Sequence, residues 1–424
     1  MTRFNRRDFL KASGAGLALA GAGGLAGCTK KGGHVVVIGG GFGGATAAKY
    51  IRMWSQGGVD VTLIERNPSF ISCPISNLVI AGEKSLADIT VSYEGLRRHG
   101  VRVMQGEVAG IDADKRQLRL ASGDSVSYDR LLLSPGIDFL YDSVPGLTRE
   151  VSESANIPHA WKAGAQTVAL RRQLEAMPDG GVYALCIPKA PYRCPPGPYE
   201  RACVVAHYLK KNKPKSKVLI LDANEDVVSK KGLFTKVWET QYKGLIEYRK
   251  EHAITGLDIA SKTVSFDFGD AVKADVLNIV PAQSAAAIAR PFINKNNRWV
   301  GIDWLSMESE VAPYIHVIGD ATFAAPAMPK SGHLANQHAK VAAAAIVNLL
   351  AGEPVNAEPL LTNTCYSFVD DKNVVHIASV HAYDAKEKTF KIVAGSGGLS
   401  SAPNELEGKF AHAWARNIWA DMLA

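Results

Sequence analysis

The sequence has little net charge and no charged or low-complexity tail. Its 424 residues carry a formal charge of +7, of which residues 1–28 hold +3. The rest of the chain is therefore only +4, which argues against the strongly basic surface that nucleic-acid binding requires. With 47% hydrophobic and 21% charged residues, the composition is that of a globular chain with room for about two or three domains.

Cysteine is scarce, and its spacing excludes several kinds of site. No C-x-x-C or C-x-x-C-H sequence occurs, so we expect no thioredoxin-type pair and no covalent haem on this chain. No spacing typical of zinc ligands occurs either, and we expect no metal site. The six cysteines are Cys28, Cys73, Cys186, Cys194, Cys203 and Cys365.

The middle of the chain lacks a glycine turn where the surrounding pattern predicts one. A strand at Gly181–Ile187, a helix at about Tyr199–Lys210 and a strand at Lys217–Leu221 are typical of a dinucleotide-binding unit. Between the first strand and the helix stands Pro188–Pro198, with five prolines in eleven residues. Proline has no N–H to donate and fixes φ, so this loop cannot cradle a pyrophosphate as a glycine turn does. A nicotinamide substrate is therefore not expected.

The N-terminus lacks a hydrophobic run suited to a membrane span but has the pattern of an export signal. Residues 12–27 contain six Gly and only three Leu, too little apolar surface for a stable transmembrane helix. Arg6 and Arg7 precede this uncharged stretch and resemble the twin-arginine (Tat) signal. We therefore predict that residues 1–28 are a Tat signal peptide and that the protein is periplasmic. Leu25–Cys28 resembles a lipobox, with a lipid anchor at Cys28, and is equally consistent with a plain cleavage site.

A nucleotide-binding pattern is present near the start of the remaining chain. His34–Ile38 is a run of buried-strand residues, and a helix pattern follows it after a G-x-G-x-x-G sequence. The three glycines of that sequence are Gly39, Gly41 and Gly44. A second strand ends in Glu65, where an acidic side chain accepts hydrogen bonds from a ribose. Together these features predict a dinucleotide site with the pyrophosphate at the helix N-terminus.

A late segment indicates which dinucleotide binds. Ile315–Ala321 predicts a strand that ends near Asp320, similar to the arrangement by which flavoprotein disulfide reductases place an Asp on the ribityl chain of FAD. Lys330 precedes a long alanine-rich helix, predicted from about Leu334 to Leu350. The positive N-terminus of this helix, together with Lys330, would stabilise a reduced flavin. We therefore expect the cofactor to be FAD.

Several separate segments resemble one family over nearly all of the chain that follows the signal. They are Gly39–Gly44 with Glu65, Ser72–Pro74 with Ser76 and Asn77, His159–Gly164, Arg193–Ala202, Pro329–Gly332 and Asn363–Ser367. Together they resemble the flavoprotein subunit of flavocytochrome c sulfide dehydrogenase, and Arg193–Ala202 is the most specific of them. One departure is that Pro74 follows Cys73, where we expect an aromatic residue.

This resemblance implies a cofactor bond, a reaction and a partner. It implies that Cys73 is bonded to the flavin and that Cys194 and Cys365 form a redox-active disulfide beside it. Sulfide would attack one sulfur of that disulfide and be oxidised to sulfur or polysulfide in the periplasm. Glu200 would move protons, and the electrons would pass from the flavin to a c-type cytochrome subunit.

Two other functions remain open at this stage. A sulfide:quinone reductase has related chemistry, and the tail Phe410–Trp419 has apolar residues at helical spacing that suit a membrane surface. A non-catalytic, flavin-binding redox sensor is an alternative of another class. Activity on sulfide would distinguish the sensor from both enzymes.

The predicted fold is α/β, with two Rossmann-like domains of the disulfide reductase type and a C-terminal α+β domain. The FAD-binding domain is expected to comprise residues 34–150 and 270–355. A second domain of the NAD-binding type, without the glycine fingerprint, is expected at residues 151–269. Residues 356–424 are expected to form the C-terminal domain that supplies Cys365.

Overall fold

The computed structural model describes residues 32–154 and 157–424. The predicted signal peptide and Cys28 lie outside these residues. The strands are β1 (His34–Ile38), β2 (Asp60–Glu65), β3 (Ser69–Ile71), β4 (Thr90–Ser92), β5 (Arg102–Gln105), β6 (Val108–Asp112), β7 (Gln117–Leu120), β8 (Ser125–Ser127), β9 (Arg130–Leu133), β10 (Ile137–Leu140), β11 (Val182–Ile187), β12 (Lys217–Asp222), β13 (Ile246–Arg249), β14 (Ile254–Asp258), β15 (Thr263–Phe266), β16 (Val272–Lys273), β17 (Val276–Ile279), β18 (Ala282–Ala285), β19 (Ile293–Lys295), β20 (Trp299–Val300), β21 (Ile315–Val317), β22 (Leu360–Phe368), β23 (Val374–Asp384), β24 (Thr389–Ile392) and β25 (Gly398–Leu399). The α-helices are α1 (Phe42–Trp54), α2 (Ser76–Ala81), α3 (Glu94–Arg98), α4 (Arg149–Glu153), α5 (Ala165–Ala176), α6 (Gly197–Asn212), α7 (Lys231–Thr240), α8 (Gly332–Ala351) and α9 (Glu405–Leu423).

A five-stranded parallel sheet forms the first layer, in the order β21-β9-β1-β2-β5. Its central strand β1 is buried from Val35 to Ile38, as expected for a β-branched run covered on both faces. Strand β21 joins the sheet although it follows β9 by more than 180 residues. The first unit is therefore discontinuous in sequence, as the predicted domain order requires.

A four-stranded parallel sheet forms the second unit, in the order β13-β12-β11-β17. Strands β11, β12 and α6 occupy the positions that the sequence pattern predicts, within two residues. The predicted boundary at residue 269 differs from the structure, because β17 (Val276–Ile279) completes this second sheet. Hydrophobic periodicity alone does not say which of two parallel sheets a short buried strand joins.

The C-terminal unit is an antiparallel sheet of β22, β23 and β24, with β25 pairing to β23. Helix α9 packs on β22 and β23 and also on α1 of the first unit. Two Rossmann-like sheets followed by this α+β unit confirm the predicted fold class. Within residues 32–154 and 157–424, none of the helices combines the length and the apolarity needed to cross a bilayer.

Candidate active site

A cavity of about 740 Å³ lies where the three units meet. It opens at the carboxyl ends of β1, β2, β9, β11 and β21, the edge where parallel sheets bind their ligands. The predicted site residues that line it are Gly39, Gly41, Glu65, Cys73, Cys194, Glu200, Asp320 and Cys365. Site residues that are as far apart in the sequence as Gly39 and Cys365 therefore line one cavity. Their spacing in the sequence does not reveal this.

The glycine loop after β1 has one glycine that faces the cavity and two that the chain's own packing requires. A Cβ on Gly39, at φ +95°, would lie 2.4 Å from the Ser134 carbonyl oxygen, and one on Gly44 would lie 1.8 Å from the Gly39 carbonyl oxygen. A Cβ on Gly41 would meet no atom within 4 Å. Gly44 thus allows α1 to approach β1, whereas Gly41 leaves room for a phosphate at the N-terminus of α1.

Glu65 stands at the end of β2 and braces this loop. Its Oε2 accepts a 2.7 Å hydrogen bond from the Gly40 N–H. Its Oε1 accepts hydrogen bonds from the Asn67 N–H and Nδ2, at 2.8 and 2.7 Å. Each oxygen keeps lone-pair capacity for a ribose hydroxyl, so the position fits the predicted role.

Asp320 presents an unsatisfied oxygen in the same cavity. Among the described residues, none donates to its buried Oδ1. Burial raises the pKa of this carboxyl, and the charges of Arg193 and Lys330 oppose the rise. A buried polar atom without a partner marks a place where a ligand group belongs, and a ribityl hydroxyl would supply the missing donor.

Lys330 is not part of the cavity wall. Its Nζ donates to the carbonyl oxygens of Asp320 and Thr322, at 3.0 and 2.5 Å, and lies 3.7 Å from the centroid of the Trp299 ring. Burial lowers its pKa to about 7. The Lys330 ammonium therefore braces the Asp320 turn. Whether its charge also helps the N-terminus of α8 to stabilise a reduced flavin stays a prediction.

Cys73 lines the cavity in the segment between β3 and α2. Its Sγ accepts from the Ala163 N–H at 3.5 Å and lies 3.6 Å from an Arg193 guanidinium nitrogen. Arg193 is partly buried, and it also donates to the Trp161 carbonyl oxygen. Cys73 therefore has a cation beside its sulfur. Whether it bonds to the flavin stays a prediction.

Cys194 lies in the proline-rich loop in a left-handed conformation, at φ +60°. Its carbonyl oxygen accepts from the Gly197 N–H at 2.9 Å, and its own N–H donates to the Lys330 carbonyl oxygen at 2.9 Å. A Cβ on Gly197 would come within 2.8 Å of Cys194 Sγ. A non-glycine residue is uncommon in this region of backbone space, so the loop constrains the thiol at an energetic cost.

Cys365 reaches the cavity from β22. This strand is hydrogen-bonded to the segment from Lys330 to His333, which also binds the Cys194 N–H. Ser331 Oγ donates to Asn363 Oδ1 at 2.8 Å, and the Thr364 N–H donates to His333 Nδ1 at 3.0 Å. The start of α8 therefore anchors the strand beside Cys365, just as the Lys330 carbonyl anchors Cys194. Ser331 also caps α8, because its Oγ accepts from the Leu334 N–H.

The two cysteines stand as separate thiols in the structure. Burial raises the pKa of both. The neighbouring Cys365 and Glu200 raise the pKa of Cys194 further, and Arg193 and then Lys230 oppose that rise. At Cys365, Lys230 is the largest influence that opposes the rise. The predicted disulfide itself stays a prediction.

Glu200, on the first turn of α6, is a buried carboxyl held in place by hydrogen bonds. Its Oε2 accepts from Asn77 Nδ2 at 3.0 Å, and its Oε1 accepts from the Phe368 N–H at 2.9 Å. Arg201 Nε fixes Asn77 in turn by donating to its Oδ1 at 3.0 Å. Burial raises the pKa of Glu200, partly offset by these hydrogen bonds and by Lys230 and Arg201. This is the environment of a proton-transfer group.

Comparisons with known proteins identify the family of the chain. A pyridine nucleotide-disulphide oxidoreductase model matches residues 33–171. The central model of the sulfide dehydrogenase [flavocytochrome c] flavoprotein chain matches residues 167–281, and the flavin-binding model of flavocytochrome c sulphide dehydrogenase matches residues 357–423. The sulfide dehydrogenase flavoprotein chain of Chlorobaculum thiosulfatiphilum is 53% identical over 46 residues, which are 11% of this chain and 94% of that relative. The chain belongs to the flavocytochrome c sulfide dehydrogenase flavoprotein family. The resemblance seen in the sequence is thereby confirmed.

Other relatives of this chain, at lower identity, are named sulfide:quinone oxidoreductases. The mitochondrial sulfide:quinone oxidoreductase of Mus musculus is 24% identical over 321 residues, 70% of this chain and 67% of that protein. The solved structure of the sulfide:quinone oxidoreductase from Aquifex aeolicus superposes with a TM-score of 0.75 at 18% identity, covering 92% of this chain and 91% of that one. The latter likeness shows the shared fold.

Sequence reasoning missed one residue beside the two cysteines of this family member. Lys230 lies between β12 and α7, and its Nζ donates to the Cys365 carbonyl oxygen at 2.6 Å. Lys230 and Lys231 together look like an exposed charged turn in the sequence. Lys230 is only 5% exposed, whereas Lys231 is exposed. This difference arises only from tertiary contacts.

The remaining polar and sulfur groups have simpler environments. Cys186 and Cys203 are buried in the core of the second unit, as small apolar side chains are. The structure also brings Glu83, His207 and Asp371 together at the surface, with ligand-type atoms within 4.8 Å of one another. His207 and Lys211 already contact the Asp371 carboxylate at 3.4 and 3.1 Å. The prediction of no metal site stays a prediction.

Proposed function

We propose that this protein oxidises hydrogen sulfide through a disulfide between Cys194 and Cys365, with FAD as the electron acceptor in the cavity. The observation that carries the proposal is the shared anchorage of the two cysteines on the short segment from Lys330 to His333. Both sulfurs and the Glu200 carboxyl line the same cavity. Family membership supports the substrate.

The cavity has the groups that FAD needs. Gly41 leaves space for the pyrophosphate at the N-terminus of α1, Glu65 suits a ribose and Asp320 has an oxygen awaiting a donor. When bound, the flavin supplies two-electron redox chemistry that no side chain provides. Cys73, beside Arg193, is the side chain that we propose for covalent attachment.

The sulfur step uses only groups of the chain and the substrate. Attack of HS⁻ on one sulfur of the disulfide forms a new sulfur–sulfur bond and breaks the bond between Cys194 and Cys365. One cysteine then carries a persulfide and the other a thiolate, so the electrons balance without another oxidant. Glu200, whose raised pKa favours the protonated form, can hold the proton that a thiolate or persulfide needs.

We propose a c-type cytochrome as the partner that receives the electrons. The support is the name of the family, in which the flavoprotein is one chain of a flavocytochrome c. The experiment is steady-state sulfide oxidation by membrane-free protein, with cytochrome c or a short-chain quinone as the sole acceptor and with the cytochrome partner added. Rapid cytochrome c reduction is expected. Rapid quinone reduction with no cytochrome c reduction would overturn this choice of acceptor.

A quinone acceptor is the second candidate, and one observation favours it. A second cavity of about 410 Å³ lies between α8 and α9 and shares His333, Tyr366 and Trp414 with the first. Its rim includes the half-exposed Phe410. An apolar ring compound could occupy this space, and the likeness to sulfide:quinone oxidoreductases points the same way. Trp414→Ala should slow quinone reduction selectively if this cavity holds the acceptor.

We propose that the protein acts in the periplasm after export by the Tat system. The support is the paired Arg6 and Arg7 before an uncharged stretch. Replacing both arginines by lysine should leave the protein in the cytoplasm of its host, measured by cell fractionation. The mass of the mature N-terminus distinguishes a lipidated Cys28 from a plain cleavage.

A further inference from the structure

Lys230 is a buried lysine whose ammonium group is held by three oxygen atoms. Its Nζ donates to the Cys365 carbonyl oxygen at 2.6 Å, to Ser367 Oγ at 2.8 Å and to the Val375 carbonyl oxygen at 3.1 Å. Three acceptors match the three N–H bonds of an ammonium group. The cage therefore fixes the charge against β22, beside Cys365.

Within the described parts of the chain, no carboxylate comes within ion-pair distance of this ammonium. The ionisable groups that face it are Cys365, Glu200, Cys194 and Glu407. Glu200 is bonded to Asn77 and Phe368, and Glu407 is bonded to His376 and Ser400. Both acids therefore have other hydrogen-bond partners, and Cys365 is the group that most opposes the lowering of the Lys230 pKa.

A buried cation without a counter-ion is costly. Burial lowers the pKa of Lys230 to about 8, and Cys365 and Glu200 oppose the change. The backbone of Lys230 is also left-handed, at φ +55°, a conformation that non-glycine residues adopt at an energetic cost. Both features occur at one position, beside Cys365.

We propose that Lys230 is a positioning residue that stabilises the anionic form of Cys365. The proposal rests on the proposed function and adds to it the identity of the leaving sulfur. HS⁻ attacks Cys194 Sγ, a bond forms between the incoming sulfur and Cys194, and the Cys194–Cys365 bond breaks. The electron pair of that bond leaves with Cys365, whose thiolate meets the charge of Lys230, and the proton stays on the Cys194 persulfide.

The first test titrates the two thiols of the reduced, flavin-loaded protein. Iodoacetamide labelling at a series of pH values, read by peptide mass spectrometry, gives the pH of half-maximal reactivity for each cysteine. Cys365 should reach it at lower pH than Cys194, because Lys230 offsets the burial of Cys365. The reverse order would overturn the proposal without any variant of Lys230.

The second test removes the charge. In flavin-loaded Cys194→Ser protein, where Cys365 has no partner, Lys230→Met should slow labelling of Cys365 near neutral pH by about tenfold. Lys230→Arg keeps the charge and should keep the fast labelling. Lys231→Met is the matched control, since Lys231 is the next residue along and pairs with Asp226 at the surface.

Each outcome of the labelling experiments either supports or overturns the proposed role of Lys230. Equal labelling in the Lys230→Met and Lys231→Met proteins would overturn the proposal, even if the unaltered enzyme oxidises sulfide. A slowed Lys230→Met protein would support the proposal, even if the natural substrate were not sulfide. If Lys230→Met lost the flavin, two other measurements would decide whether the proposal holds. They are which cysteine of the unaltered protein is labelled at lower pH, and the rate of Cys365 labelling in Lys230→Arg.

Discussion

The loops that follow β1 and β11 occupy the same place in two parallel sheets and differ in chemistry. Each loop leads from a central, buried strand into a helix, α1 or α6. After β1, Gly41 leaves open space at the helix N-terminus. After β11, prolines surround a left-handed Cys194. The same arrangement of strand, loop and helix can therefore serve two purposes. A loop of glycines leaves room for a phosphate, and a loop of prolines holds a thiol in place.

The sharpest way to test the role of the second loop is to replace its cysteine or its proposed partner. Cys194→Ser and Cys365→Ser should each reduce sulfide turnover by at least about a thousandfold, since both sulfurs are needed for the exchange. Both proteins should keep their flavin absorbance. Cys186→Ala, altered in the strand that leads to this loop, is the control. Near-normal turnover in Cys365→Ser would refute the disulfide mechanism.

Substituting one glycine in the first loop should abolish flavin binding, and substituting one in the second loop should lower turnover with the flavin still bound. Gly41→Val should leave the fold intact, because Gly41 has an extended backbone and open space around its Cβ direction, but should abolish flavin retention. Gly197→Ala should keep the flavin and displace Cys194 Sγ, reducing turnover by roughly 10- to 100-fold. Flavin content per chain and turnover at saturating sulfide are the measurements. If Gly197→Ala lost the flavin while Gly41→Val kept it, the proposed roles of the two loops would be contradicted.

Glu200, on the helix that follows the second loop, tests whether this region transfers a proton as well as presenting a thiol. Glu200→Gln should lower turnover by roughly 10- to 100-fold. Burial raises the pKa of this carboxyl, so its proton is lost only at a pH above the usual range for glutamate. Turnover of the unaltered enzyme should fall as pH rises through that pKa, and the variant should lack this fall. An unchanged pH profile would assign the proton transfer to another group.

The smallest expected effect on turnover concerns the first unit. Cys73→Ala should release flavin to the supernatant after acid precipitation, while the unaltered protein keeps it in the pellet. Turnover should fall by less than about tenfold, because Gly41, Glu65 and Asp320 still hold the cofactor by non-covalent contacts. Cys203→Ala serves as the control and should keep the flavin in the pellet. Free flavin from the unaltered protein would disprove the covalent bond.

Sequence patterns were sufficient for the local parts of the site. The glycine turn, the acid after the second strand and Asp320 after a late strand each follow from short-range rules about strands and helix N-termini. The orientation of Lys330 and the boundary near β17 did not follow from them. Both depend on which distant backbone carbonyls or strands a segment meets.

By itself, the sequence determined the two Rossmann-like units, the absence of a second glycine turn and the family. Only the tertiary structure decided that Cys194 and Cys365 share the segment from Lys330 to His333, and that Lys230 is buried beside them. The physical reason is separation along the chain. Local patterns encode strands, turns and helices, whereas contacts across more than 100 residues depend on how three units pack.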